Sequence, residues 1–357
     1  WSSDVCSSDL LGAVDRILGN RFGLGEKFEE GIMAMGSLAL AMIGIICLAP
    51  VLANLLRPVV VPLYQALGAD PAMFAGTLLA NDMGGAPLAQ ELALTQEAGQ
   101  FGGLIVGSML GPTIVFTIPV GLGIIKAEDR PYLATGVLAG VITIPIGSFA
   151  GGLAAGFPVG MVLRNLIPIA LFAVLIALGL AFLPNGMVKG FQVFGRIIVI
   201  IITIGLAAAI IQKLTPLTLI PGINPISEGV AIVGDIAVVL AGAFPLVYVI
   251  TRVFKTPLMK LGHVLGMNDI AAAGLVATLA NNIPMFQMLH DMDRRGKIIN
   301  VAFAVSAAFV FGDHLGFTAG FDSTMIFPMI VGKLVGGVTA VAVAMLITRK
   351  YKEERHG

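Results

Sequence analysis

Apolar runs of close to 20 residues recur from one end of this chain to the other, and nothing else in the sequence constrains the fold as strongly. A helix rises 1.5 Å per residue, so each run spans a hydrocarbon core of about 30 Å. Full spans are expected near 33–56, 101–125, 131–156, 160–183, 191–213, 228–252, 297–320 and 325–348. A transmembrane β-barrel needs alternation of period two in segments of about ten residues, and these runs are continuous instead. The chain therefore reads as an all-α polytopic integral membrane protein. Composition agrees, since only 12% of residues are charged against about 25% in a soluble domain, and the mean hydropathy is +0.97.

Several function classes drop out at once. The 21 basic and 21 acidic side chains balance, which removes the basic excess that a nucleic-acid partner needs. Cys6 and Cys47 give neither a disulfide framework nor a metal site. CxxC, HExxH, GxSxG and GKS/T strings are absent. No catalytic group, metal or cofactor is expected.

Two further stretches, about 58–99 and 257–291, are apolar but interrupted. Gly-Ala-Asp-Pro and Asn-Asp-Met-Gly-Gly-Ala-Pro break the first, and Asn-Asp and Asn-Asn-Ile-Pro break the second. They read as re-entrant or discontinuous helices, whose freed backbone groups have to be buried in protein or line a cavity.

The breaks fall at corresponding places because the chain is internally duplicated. Shifted by 198 positions, Glu30–Gly76 matches Glu228–Gly274 without gaps, with twelve of 47 pairs identical, among them Gly31/Gly229, Gly44/Gly242, Gly68/Gly266 and Gly76/Gly274. Leu79-Ala80-Asn81-Asp82 then lies over Leu279-Ala280-Asn281-Asn282. Gly107–Gly111 and Gly136–Thr143 match Gly312–Gly316 and Gly332–Thr339 in the same order. The expected organisation is a first membrane repeat over 11–156, a connecting helix at 157–190, a second repeat over 191–348 and a basic tail at 349–357. Residues 1–10, WSSDVCSSDL, are polar and fit no signal peptide; they read as a foreign, adapter-like segment. The counterpart of the span at 191–213 falls where this segment sits, so one more amino-terminal span is expected in the natural protein.

Basic residues test the topology, because cytoplasmic loops are enriched in Lys and Arg. If both interrupted stretches return to the side they entered from, 17 basic residues lie inside, Arg57, Arg164 and Lys213 lie outside, and Lys333 sits within a span. This arrangement makes the two repeats inverted and places the carboxyl terminus in the cytoplasm. Inverted repeats with paired broken helices point to a secondary transporter with its site near the midplane, where the breaks meet. Two kinked structural helices are the plainer alternative. The GxxxG spacings at Gly103/Gly107/Gly111, Gly136/Gly140, Gly147/Gly151 and Gly312/Gly316/Gly320 read as helix-packing surfaces.

Few ionisable groups fall at membrane depth, where charge is costly and therefore functionally suspect. Asp82 stands at the first break beside Asn81, with Asn281 and Asn282 at the second. A carboxylate with amides suits a small cation that carries a hydroxyl; the same residues also serve as helix caps, and both roles stay open. Asp313 and His314 lie seven residues before the end of one span and Lys333 eight residues after the start of the next, so an Asp313–Lys333 ion pair across the hairpin is expected alongside substrate or proton handling. Asp235 is a weaker candidate, and Glu29 and Glu30 read as interfacial.

The strings Phe28–Gly36, Met73–Gly85, Gly107–Phe116, Ala277–Met285 and Phe311–Gly316 together resemble EutH, the ethanolamine permease family, from about Leu11 to the basic tail. The resemblance implies a bacterial inner-membrane carrier that brings ethanolamine to an ammonia-lyase pathway, with ethanolamine and the lipid bilayer as partners and homo-oligomerisation left open. It supplies no residue-level site. Ethanolamine is mostly protonated at neutral pH, and Asp82 with the Asn residues offers a carboxylate for the ammonium; Phe74 and Phe286 flank the breaks as aromatic candidates. Two rivals stand beside it. A carrier or channel for another small solute or cation fits Asn-rich breaks equally. An intramembrane aspartyl protease would pair Asp82 with Asp313, but its usual GxGD string has Val310 in place of the first glycine.

Overall fold

The computed structural model describes residues 2–349; the expected tail therefore lies outside the described residues except for Arg349. Every regular element among the described residues is helical. Seven stretches are long and apolar enough to cross a membrane: Leu24–Ala66, Gln96–Ile124, Ala127–Ala154, Val159–Phe182, Lys189–Leu214, Ile226–Val249 and Ser323–Ile347. Each coincides with one of the expected spans to within three residues at its carboxyl-terminal end or contains it outright.

The eighth expected span, 297–320, is two helices, Arg294–Ala307 and Asp313–Phe321, with a break between them. Phe309 takes a left-handed conformation at φ 63°, which no helix interior accommodates. The backbone groups freed there are satisfied by a neighbour. Phe309 and Phe311 donate their N–H groups to the carbonyls of Thr278 and Leu279 at 3.2 and 2.9 Å, so the strip lies against the end of the Asp269–Ala280 helix.

The interrupted stretches begin later than expected. The Leu24–Ala66 helix continues through Pro58 and Pro62, and the Ile226–Val264 helix through Pro257. At 43 and 39 residues and 1.5 Å per residue, both are far longer than a bilayer core is thick, and they pack along each other in the most extensive helix contact of the molecule. The first hairpin then runs Ala72–Leu78, a short turn at Asn81–Met83, and Gly85–Leu92. Gly84, at φ 97°, makes the reversal that a residue with a Cβ resists. The second runs Asp269–Ala280 and Asn282–Met288.

Both hairpins are clipped shut at their open ends by a duplicated position. Asp70 accepts the N–H groups of Ala72 at 2.9 Å and Leu94 at 3.1 Å. Its counterpart Asn268 donates its own N–H to Asp293 at 2.8 Å and its side-chain amide to the Asp291 carbonyl at 3.0 Å. The two ends of each stretch thus lie together. Burial raises the Asp70 carboxyl above the ordinary range, against the lowering pull of the Ala72, Leu94 and Thr95 backbone hydrogen bonds.

The long-helix contact is reciprocal under the 198-residue shift. Gly31 lies against Leu240 and Ala241, and its counterpart Gly229 lies against Ile43, the counterpart of Ala241. Gly44 similarly meets Ile202 of the Pro184–Leu214 helix, while Gly242 meets Val5 of the Ser2–Ile17 helix. The remaining glycine spacings also pack closely. Gly147 and Gly151 face Gly332 and Gly336, and Gly136 and Gly140 face Val301 and Val305.

Candidate functional site

The first break and the break at 308–312 bring polar residues from distant parts of the sequence to one cavity of about 280 Å³, whereas neither Asn281 nor Asn282 of the second expected break lines it. Asp82 and Met83 come from the first break, Phe309, Asp313 and His314 from the break at 308–312, Ser37 and Leu38 from the first long helix, and Pro112 and Phe116 from the Gln96–Ile124 helix. Its volume sits just below the roughly 300–1,000 Å³ of drug-sized pockets, which suits a small solute.

The N-cap positions of the short turn and of the helix that follows are Ala80 and Gly84, so Asp82 stands at neither. Its Oδ1 stands 4.0 Å from His314 Nε2, with 18% of the side chain exposed. His314 in turn meets Lys333, whose Nζ lies 3.0 Å from Nδ1 and also donates to the Ser108 carbonyl. With the ammonium donating to Nδ1, the imidazole proton sits on Nε2 and faces Asp82. The lysine's described hydrogen bonds therefore go to Ser108 and His314, and the expected Asp313–Lys333 contact is not among the described ion pairs. Asp313 instead begins its helix at the wall of the cavity.

The asparagines divide their roles. Asn281 is a cap, its Oδ1 accepting the Ile283 N–H at 2.8 Å, and it lines a second cavity of about 340 Å³ together with Asp313. Asn282 is buried and donates to the Thr117 hydroxyl at 3.1 Å, which ties the second break to the Gln96–Ile124 helix. Asn81 is fully buried, and neither of its amide atoms has a partner. Such a group needs a reason, because most buried polar atoms are hydrogen-bonded.

Sequence reasoning missed the aromatic wall. Phe116 and Phe309 meet edge to face at 5.4 Å, and Phe309 lies 5.1 Å from the His314 ring. The apolar string Ala-Phe-Val-Phe gives no sign of a break at 308–312. Phe74 packs on Tyr64 and Phe286 on Gly121 instead. Ser108 was equally hidden, since it contributes only its carbonyl. Asp235 is exposed on the second long helix, away from both cavities, and Glu29 and Glu30 form exposed ion pairs with Arg16 and Lys27.

Comparison with known proteins shows the family. The profile of the family "Ethanolamine utilisation protein, EutH" matches residues 5–347. A "Probable ethanolamine permease EutH" of Listeria monocytogenes is 72% identical over 341 residues, covering 96% of this chain and 91% of that protein. The protein of the same description from Escherichia coli is 55% identical over 379 residues, covering 96% and 93%. The "Uncharacterized protein YxeR" of Bacillus subtilis is 53% identical over 339 residues, covering 95% and 92%. No solved structure matches. With a profile match across nearly the whole sequence and relatives this similar, the chain belongs to the EutH family of ethanolamine utilisation proteins.

Proposed function

We propose that this multi-pass membrane protein is a carrier and not an enzyme, and that it moves protonated ethanolamine across a bacterial inner membrane, with its carboxyl terminus in the cytoplasm. Its relatives are described as probable ethanolamine permeases, which favours this substrate over another small solute or cation. The observation that carries the site is Asp82. It is a carboxylate at a helix break, at neither N-cap position, and it lines a small cavity with Asp313 and His314. The ammonium binds there, beside Phe116 and Phe309, and the amide of Asn81, next to Asp82 in the chain, has unused hydrogen-bonding capacity for the hydroxyl.

Labelled ethanolamine uptake at acidic pH tests the reading. The protein is expected to concentrate or equilibrate the label in cells lacking their own permease, and Asp82→Asn to abolish uptake while membrane expression stays unchanged. Unchanged uptake in that variant removes Asp82 from the site. Replacing Na⁺ and, separately, collapsing the proton gradient distinguish the coupling modes. Nucleic acid has no role in this scheme, and the site as described lies within one chain.

A further inference from the structure

The second cavity is lined by the partly exposed Lys27–Glu30 pair at the start of the first long helix, by Tyr248 and Asn281, and by Asp313. Asp313 also lines the first cavity, with Asp82. We propose that the second cavity is a second station for the same small organic cation, through which it passes between Asp82 and the water on the Lys27–Glu30 face, with Asp313 handing it over. This rests on the ethanolamine reading of the first cavity.

The break at 308–312 is what makes two chambers with a shared carboxylate. Phe309 faces the first cavity and Phe311 the second, alternate residues of a strip whose N–H groups are tied to Thr278 and Leu279. Asp313 follows at the end of the strip, where Gly312 sits against the Ala280 carbonyl so closely that a Cβ there would collide with it. An ammonium that left Asp82 for apolar surroundings would lose its counter-charge in a medium that stabilises bare ions poorly. Asp82, Asp313 and Glu30 place a carboxylate at each stage of the route. At the mouth Lys27 Nζ lies 2.6 Å from both Glu30 oxygens, so an ammonium already occupies the outermost carboxylate and has to yield it to the passing cation. This pair is partly exposed, with side chains 31% and 46% accessible, and surface pairs of this kind are weak enough to exchange.

The test uses the full chain with Cys6→Ser and Cys47→Ala, reconstituted in vesicles, and single cysteines at Tyr248 and, as a second probe, Phe244 in the outer cavity and Ser37 in the inner one. The reagent is the permanently charged trimethylammonium-ethyl methanethiosulfonate. Tyr248→Cys and Phe244→Cys are expected to react from the Lys27–Glu30 face only, and saturating ethanolamine to slow both reactions about fivefold or more, as an occupied site does. Glu30→Gln is expected to raise the ethanolamine concentration for half-maximal counterflow about tenfold from that face, a change of about 1.4 kcal/mol, while the value from the opposite face moves less than about twofold. If ethanolamine protects Ser37→Cys and uptake persists, yet neither outer cysteine is protected, the second station is overturned and the first reading stands. If the parent chain neither takes up ethanolamine nor shows protection at any cysteine, the ethanolamine reading itself has failed.

Discussion

Asp82 and Asn81 are neighbours in the chain with opposite stability ledgers. Asn81 buries two amide atoms without partners, and a buried unsatisfied polar group costs about 1–3 kcal/mol. Asn81→Leu is therefore expected to leave the thermal unfolding midpoint in detergent unchanged or raised, while ethanolamine uptake falls by about tenfold for want of a hydroxyl partner. A midpoint that drops together with uptake would make Asn81 a structural residue. A second buried pair makes the contrasting prediction. Lys297 and Asp129 bond to one another with side chains 10% and 2% exposed, and His290 reaches the same carboxylate at 3.1 Å. Asp129→Asn strands the lysine and is expected to destabilise by about 3–5 kcal/mol, whereas an apolar pair of similar volume at 129 and 297 restores most of it; denaturation of the purified variants reads both. Of the individual site residues, the ones legible in the sequence were charges and amides standing in apolar surroundings, such as Asp82 and His314. Asn281 as a cap and Lys333 as the partner of Ser108 were not, because which of two roles an amide takes, or which carbonyl a lysine finds, is settled by tertiary placement.

At the scale of elements, close backbone approach decides how the long helices pack. Gly44 lies where any Cβ would meet the Ile202 carbonyl, and Gly31 and Gly229 do the same for the pairing of the two long helices. Gly44→Val is expected to cost about 1–3 kcal/mol, as overpacking does, and to lower the midpoint in detergent; Gly36→Val, with nothing within 4 Å of its added Cβ, serves as the matched control and should change little. The helices were readable because leucine, isoleucine and alanine runs admit few alternatives in a bilayer. The breaks at 79–84 and 281 announced themselves through Asn, Pro and Gly. The break at 308–312 did not, since its Phe309 and Val310 are ordinary span residues and only its hydrogen bonds to Thr278 and Leu279 hold it open. Conversely, the first interrupted stretch was expected to start near 58, yet the long helix runs on through Pro58 and Pro62 to Ala66, its one or two lost bonds outweighed by packing.

The whole molecule couples these elements through the reciprocal contact of Gly31 with Ala241 and Gly229 with Ile43, the pattern that an isologous interface produces between equivalent halves. We infer from it that the two repeats face opposite ways. Cysteines placed at Ser227 and at Arg294 are then expected to react with an impermeant thiol reagent from opposite sides of a sealed vesicle; labelling of both from one side would end the inverted arrangement. The glycines that make this contact are among those on which the sequence match rests. The clip at Asp70 and Asn268 was not visible in the sequence, because its partners Leu94 and Asp293 lie outside the matched block. The buried lysine sets one more property of the whole. With Asp82, Asp313 and Lys333 all charged, the surroundings of the chamber would carry one negative charge, which a single monovalent cation would neutralise. A diamine would overshoot and a zwitterionic amino acid, bearing its own carboxylate, would leave the deficit in place. On that reading millimolar glycine should fail to compete with ethanolamine uptake where a short amino alcohol succeeds, and Lys333→Met should relax that discrimination.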